Sequence, residues 1–160
     1  MNEVKNRQAI CSRPIVLIGM MGAGKSSLGL RLAEALHLPF LDADAEIEKA
    51  AAMSVAEIFE QHGEAAFRDG ERRVIKRLLD GEPMVLALGG GAFMNDETRA
   101  LVQEKALCVW LDVSLDELVR RVKKKPNKRP LLKGQNVEEK LAELMQIRAP
   151  IYRHAAAAWR

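Results

Sequence analysis

The sequence predicts an α/β protein with three layers, in which helices cover both faces of a parallel β-sheet. Short apolar, β-branched strands alternate with segments of helical spacing along the 160 residues. A glycine-rich loop joins the first strand to the first helix. Hydrophobic residues at 48% and charged residues at 29% are typical of a globular protein of this length. We therefore expect residues 1–160 to form a single domain.

The first half of the chain begins with a strand and continues with helices. Residues 14–18 form an apolar, β-branched run that ends at glycines, which predicts a strand buried on both faces. Leucines at three- and four-residue spacing predict a helix up to residue 36, and a short apolar segment follows at residues 40–41. Helical spacing then recurs with breaks at Ser54 and Gly63. We interpret residues 42–80 as a helical insert.

The second half of the chain repeats the alternation. Residues 84–88 and 107–111 are predicted strands, and residues 96–105 a helix between them. Helical spacing resumes over residues 137–149, where Pro150 is expected to interrupt it, and residues 155–160 show no strand signal. Residues 124–136 contain prolines and a glycine without periodicity, so we expect a mobile loop. Residues 1–12 are expected to be a flexible tail.

The loop after the first strand has the pattern G-x-x-x-x-G-K-[ST] at residues 19–26. Glycines let successive backbone N–H groups point at one phosphate, beside the positive end of the following helix. Lys25 would reach the outer phosphates of a nucleotide such as ATP, and the Ser26 hydroxyl would reach Mg²⁺. The alternative is a simple glycine turn. The predicted nucleotide-binding residues are Gly22, Ala23, Gly24, Lys25, Ser26 and Ser27.

Two aspartates follow the second predicted strand, at the edge where ligands of parallel sheets bind. One of Asp42 and Asp44 could order water on the metal while the other binds an acceptor hydroxyl. The competing interpretation is that one of them caps the next helix.

Composition and charge exclude several other classes of protein. No apolar run reaches membrane-spanning length, and no signal-peptide stretch is present, so we expect a cytoplasmic protein. Cys11 and Cys108 could pair, but in this setting we expect free thiols. The formal net charge is +3, and seven basic residues lie within residues 120–129, which indicates a solvated surface or an anion site. The same stretch has no aromatic residue, which argues against nucleic-acid binding.

Five further motifs, in this order and spacing, resemble those of the shikimate kinases. They are Leu41-Asp42-Ala43-Asp44, Phe67-Arg68-Asp69-Gly70-Glu71, Gly89-Gly90-Gly91-Ala92, Arg129-Pro130-Leu131-Leu132 and Arg148-Ala149-Pro150-Ile151-Tyr152. The resemblance implies phosphoryl transfer from ATP to the 3-hydroxyl of shikimate, with Mg²⁺, in a monomer that binds neither nucleic acid nor membrane.

The resemblance also implies roles for individual residues. Asp44 would orient the acceptor hydroxyl, and Asp42 would serve Mg²⁺ through water. Arg129 would lie in a lid, residues 124–136, and stabilise charge on the transferred group. The insert would be the shikimate-binding unit. The residues that bind shikimate, within the insert and outside it, would be Asp44, Arg68, Gly89, Gly90, Gly91 and Arg148. Two alternatives stay open: Arg68 could only pair with Glu71, and Arg148 could be an exposed helix-end charge.

The sequence also allows other functions, and it departs from the shikimate kinase pattern near its end. A gluconate or nucleoside monophosphate kinase, and an RNA-binding module with a phosphate loop, would share the loop motif. We expect Asp112 to cap the following helix rather than bind Mg²⁺. Shikimate kinases usually continue past the Tyr152 region into a further strand and a final helix. Both are expected to be missing here, which would leave the adenine contacts incomplete.

Overall fold

The structure is a computed structural model that describes residues 12–124 and 136–160. Its sheet has five strands: β1 (Ile15–Ile18), β2 (Phe40–Asp42), β3 (Val85–Ala87), β4 (Leu107–Leu111) and β5 (Ala157–Trp159). They lie in the order β2-β3-β1-β4-β5, and every neighbouring pair is parallel. The predicted α/β fold with a parallel sheet is confirmed.

Helices follow the strands as the alternation predicts. They are α1 (Lys25–Leu36), α2 (Ala43–Ala51), α3 (Val55–Leu79), α4 (Asp96–Lys105), α5 (Leu115–Lys123) and α6 (Val137–Tyr152), with a 3-10 helix at Ala92–Met94. The predicted bounds of α4 and of β4 are confirmed residue for residue. The predicted break at Gly63 is also confirmed, because this residue leaves helical geometry inside α3 (φ +83°).

Strand β1 lies at the centre of the sheet, and its neighbours place the loops that matter for function. It pairs with β3 on one side and with β4 on the other. All four of its residues are buried, because helices cover both faces of the sheet. The glycine-rich loop after β1 and the glycines after β3 therefore leave the sheet side by side, at the carboxyl edge.

The sheet separates two cores. On one face, Val16 and Ile18 pack in a large cluster that includes Phe93, Trp110 and Tyr152. On the other face, alternate residues of the same strand pack under α1 in a smaller cluster (Ile15, Leu17 and Ala33 with Val85). A third cluster joins α2 to α3.

The expectation of no strand in residues 155–160 is wrong, because β5 adds a fifth strand to the sheet. Its three residues, two of them alanine, carry little strand propensity. They are held instead by pairing with β4. The pairing continues one residue past the end of β4, where the amide of Asp112 donates to the carbonyl of Trp159 at 2.8 Å. A further strand after Tyr152 is thus present rather than missing. Being at the edge of the sheet, β5 leaves the Trp159 side chain 63% exposed.

Pro150 does not interrupt the last helix, contrary to expectation. Helix α6 continues to Tyr152, and the amide of Arg153 still donates to the carbonyl of Ala149 at 3.2 Å. Proline removes one backbone donor, and so close to a helix end the remaining hydrogen bonds suffice to complete the last turn. Among the described residues, no helix is both long and apolar enough to cross a membrane.

The contact between α1 and β2 gives the first prediction. A Cβ atom built on Gly29 of α1 would lie 2.8 Å from Cδ2 of Phe40, so the ring occupies the place of a side chain. We expect Gly29→Ala to lower the free energy of unfolding in urea by about 1–3 kcal/mol, the usual cost of overpacking. The matched control is Gly70→Ala in α3, where a Cβ would meet no described atom within 4 Å outside its chain neighbours and its own helix's backbone. That variant should gain up to about 1 kcal/mol from helix propensity, so equal losses in the two variants would contradict the packing argument.

Candidate functional site

The glycine-rich loop has the geometry of an anion cradle. Gly22 and Gly24 have φ of +82° and +93°, a region that favours glycine, and helix α1 begins directly afterwards at Lys25. Within the described part of the chain no side chain caps the start of α1, and the positive end of this helix faces the loop. The Nζ of Lys25 donates to the carbonyl of Gly19 at 2.6 Å. Ser26 and Ser27 lie exposed on the first turn.

Arg121 is a contact of this loop that the sequence did not indicate. Its Nη1 donates to the carbonyls of Gly22 and Ala23, at 3.1 and 3.2 Å, from helix α5. Its Nε donates to Glu117 at 2.8 Å. The hydrogen bonds from Arg120 and Arg121 lower the pKa of Glu117 to about 2. Glu117 and Arg121 are four residues apart on one helix, so the sequence could have indicated their ion pair. No local pattern indicates the contact between Arg121 and the glycine-rich loop.

The two aspartates after β2 differ in their surroundings. Asp42 caps helix α2, because its Oδ1 accepts from the amide of Ala45 at 3.1 Å, which confirms the capping alternative for this residue. Asp44 lies in the first turn. Burial and the neighbouring Asp42 raise the pKa of Asp44, and Lys25 and Arg68 act against them. The charges of Lys25, at the end of the phosphate loop, and of Arg68, in α3, thus both act on Asp44.

The three glycines at residues 89–91, which we call the triglycine segment, are approached by three charged side chains. A Cβ on Gly89 would lie 2.9 Å from Oδ1 of Asp44, and one on Gly90 would lie 2.6 Å from Nη1 of Arg148. A Cβ on Gly91 would overlap Nη2 of Arg68. The structure therefore brings Asp44, Arg68 and Arg148 together at this segment, and only glycine leaves room for them.

The surroundings of the two arginines decide both alternatives that the sequence left open. Arg148 is only 7% exposed, so the interpretation as an exposed charge is wrong. Within the described residues its Nη1 has no hydrogen-bond partner. Arg68 does pair with Glu71, since its Nη1 donates to Oε1 of Glu71 at 2.8 Å. Its Nη2 nevertheless approaches Gly91.

Glu71 also belongs to this site. The sequence indicated it only as a possible ion-pair partner of Arg68. It is 1% exposed, and burial raises its pKa, although the paired Arg68 opposes this. A buried carboxylate three residues after Arg68 fixes one edge of the guanidinium and leaves the other edge for a ligand. The three-residue spacing was the available signal, and it does not reveal burial.

Several predicted residues lie elsewhere or outside the described residues. Asp112 does not cap helix α5. That position belongs to Ser114, whose Oγ accepts from the amide of Glu117 at 3.4 Å, and Asp112 pairs with Arg160 at 3.3 Å. Arg129, residues 125–135 of the predicted lid and residues 1–11, with Cys11, are outside the described residues. Cys108 is a free thiol, and burial raises its pKa to about 12.

The described part of the chain has no cluster of three or more metal-ligating side chains. Mg²⁺ prefers oxygen ligands, takes few of them from the protein and keeps several waters. The hydroxyl of Ser26 and the carboxylate of Asp42 are oxygen donors of the right kind, at the start of α1 and at the end of β2.

Comparisons with known proteins agree with this arrangement. A family model described as shikimate kinase matches residues 21–159. A shikimate kinase of Rhodopseudomonas palustris is 59% identical over 147 residues, covering 92% of this chain and 72% of the relative. One of Zymomonas mobilis is 56% identical over 140 residues, covering 88% and 79%. The solved structure of a shikimate kinase from Acinetobacter baumannii in complex with shikimate has a TM-score of 0.89 at 37% identity, covering 96% of this chain and 87% of that chain.

The raised pKa of Asp44 gives a prediction that does not depend on the reaction. Without ligands, the folded protein holds the Asp44 proton more tightly than the unfolded chain does, so ionisation of this carboxyl favours unfolding. We expect Asp44→Asn to raise the free energy of unfolding at pH 7. The gain should shrink toward zero at acid pH, where both states are protonated. Urea titrations at the two pH values measure it, with Glu82→Gln, an exposed loop residue, as the control. An equal effect of Asp44→Asn at both pH values would contradict this account.

Proposed function

Because the chain belongs to the shikimate kinase family, it is an ATP-dependent kinase, and we propose that it phosphorylates the 3-hydroxyl of shikimate at the site described above. The observation that carries the proposal is the buried Nη1 of Arg148, which has no partner among the described residues. A buried donor of a cation that lacks an acceptor is costly, and an entering carboxylate would remove that cost. The second guanidinium, of Arg68, approaches the same segment. Two such groups suit the carboxylate of shikimate.

The phosphate loop forms the other half of the site. We propose that the amides of Gly22, Ala23 and Gly24 and the start of α1 bind the phosphates of ATP, supported by Ser26 and Ser27. Lys25 would leave the Gly19 carbonyl to neutralise charge on the γ-phosphoryl group. Arg129 would add a second cation, a role that rests on the family resemblance alone.

Asp44 would be the catalytic residue on the acceptor side. Its carboxylate would accept a hydrogen bond from the 3-hydroxyl of shikimate and take the proton as the oxygen attacks the γ-phosphorus. The bond from the γ-phosphorus to its bridging oxygen breaks, and ADP leaves with that electron pair. The supporting observations are that Asp44 lies against Gly89 of the triglycine segment and that the charges of Lys25 and Arg68 both act on its carboxyl group.

We propose that Mg²⁺ is held by the Ser26 hydroxyl and, through water, by the Asp42 carboxylate. When bound with ATP, the ion neutralises charge on the phosphates. Oδ1 of Asp42 already accepts from Ala45, which fixes the carboxylate in place. We also propose that the insert, residues 42–80, is the shikimate-binding unit, that residues 124–136 form a lid, and that the enzyme acts as a monomer.

A coupled ADP-release assay tests the proposed reaction. We expect ADP release with shikimate that requires Mg²⁺, and none above background with gluconate or AMP. Release with gluconate or AMP, and not with shikimate, would overturn the substrate assignment. Retention of RNA on a filter, without any acceptor-dependent ADP release, would favour an RNA-binding module.

The roles of Lys25 and Asp44 predict the effect of removing them. Lys25→Ala should lower kcat about 100- to 1,000-fold, as expected for loss of one group that stabilises transition-state charge. Asp44→Ala should lower it by about 100- to 10,000-fold, as for loss of a general base. Both variants should remain folded by circular dichroism. Near-normal kcat in either folded variant would remove that residue from the mechanism.

The proposed contact between Arg148 and the carboxylate of shikimate can be tested by changing either the enzyme or the substrate. We expect Arg148→Ala to raise the KM for shikimate at least tenfold, the factor that corresponds to about 1.4 kcal/mol, and to leave the KM for ATP unchanged. The methyl ester of shikimate carries no negative charge, so the same substitution should change its KM much less. Equal effects on the acid and the ester would show that Arg148 does not bind the carboxylate. Lys140→Ala, which removes the ion pair with Glu143 on the same helix, is the control.

A further inference from the structure

Tyr152, the last residue of α6, is a buried group for which the reaction described above has no use. It is 1% exposed and belongs to the large core cluster. Its hydroxyl nevertheless donates a hydrogen bond to the carbonyl of Gly90, 62 residues away in the chain. Gly90 is the middle residue of the triglycine segment. The hydroxyl therefore connects the end of α6 to the backbone at the site.

This hydrogen bond fixes the orientation of a whole peptide unit. The carbonyl of Gly90 and the N–H of Gly91 belong to the same planar group and point in opposite directions. Holding the carbonyl toward Tyr152 thus directs the Gly91 N–H away from α6. Neither the Gly90 nor the Gly91 amide donates to another described residue. Both amides are left for a ligand.

The position of the Tyr152 ring is itself restrained. The ring of Trp110, on β4, lies 5.9 Å away between centroids at an angle of 38°. Burial raises the pKa of Tyr152 to about 12, although the charge of Arg148 and a hydrogen bond from its side chain oppose this shift. The hydroxyl therefore keeps its proton, and its ability to donate, throughout the pH range in which a kinase is assayed.

The same helix face carries Arg148. Residues four apart on a helix lie one above the other, so Arg148 and Tyr152 project from neighbouring turns toward the triglycine segment. Arg148 lies against the place where a Gly90 side chain would be, and Tyr152 holds the Gly90 carbonyl. One helix thus sets both a guanidinium and a backbone segment.

We propose that Tyr152 is a positioning residue for the acceptor: its hydroxyl holds the Gly90–Gly91 peptide in place, so that the triglycine segment and Arg148 keep the arrangement that meets the carboxylate of shikimate. This inference rests on the proposed function, because it needs shikimate as the acceptor. The competing explanation is that Tyr152 only fills the core beside Trp110. A phenylalanine would then serve equally well.

The substitution Tyr152→Phe separates the two explanations, since it keeps the ring and removes the hydroxyl. We expect the KM for shikimate to rise about 5- to 15-fold, with kcat within about twofold of wild type and the KM for ATP unchanged. The rise should be smaller for the methyl ester. The matched control is Thr98→Val, which deletes another buried hydroxyl, one with no hydrogen-bond partner among the described residues, and should leave both KM values unchanged.

The outcomes distinguish this inference from the proposed function. If wild type releases ADP with shikimate and Tyr152→Phe has the same KM, the inference fails and the proposed function stands. If the KM values for shikimate and ATP rise together and the free energy of unfolding falls, the hydroxyl has a structural role only, and the inference fails. If wild type releases no ADP with shikimate, both fail.

Discussion

The site depends on a stretch of backbone that carries no side chains. At the triglycine segment, the space beside each Cα is occupied by a charged group from a distant part of the chain. A carboxylate arrives from the start of α2, one guanidinium from α3 and another from α6. Charged groups of both signs approach the backbone closely here, because the sheet holds the triglycine segment in place and three different helices direct side chains toward it. The positive charge of Arg68 offsets part of the cost of burying the carboxyl groups of Asp44 and Glu71.

The fold was predictable wherever the sequence signal is local. The phosphate loop, β1, α4 and β4 each follow from a pattern within about ten residues. Strand β5 was missed because its stability comes from pairing with β4, and two of its three residues are alanine. The continuation of α6 past Pro150 was missed for a similar reason, since position within the helix decides what a proline costs.

The site was predictable in its residues but not in its connections. The motifs named the arginines and Asp44, and spacing alone suggested the pair Arg68–Glu71. Whether Arg148 is exposed or buried depends on which elements cover α6, and no local pattern contains that information. The contacts of Arg121 with the phosphate loop and of Tyr152 with Gly90 span 98 and 62 residues. Such contacts follow from the order of strands in the sheet.

The two tryptophans lie on adjacent strands but in opposite environments. Trp110 is 9% exposed and contacts Tyr152, whereas Trp159 on the edge strand is 63% exposed. Iodide, a charged quencher, reaches the indole of Trp159 and is kept from that of Trp110 by the surrounding core. The intrinsic fluorescence of the native protein therefore divides into a quenchable and a protected fraction. Quenching of Trp159 then reports on detachment of the edge strand, and quenching of Trp110 reports on loosening of the core around Tyr152, in one sample.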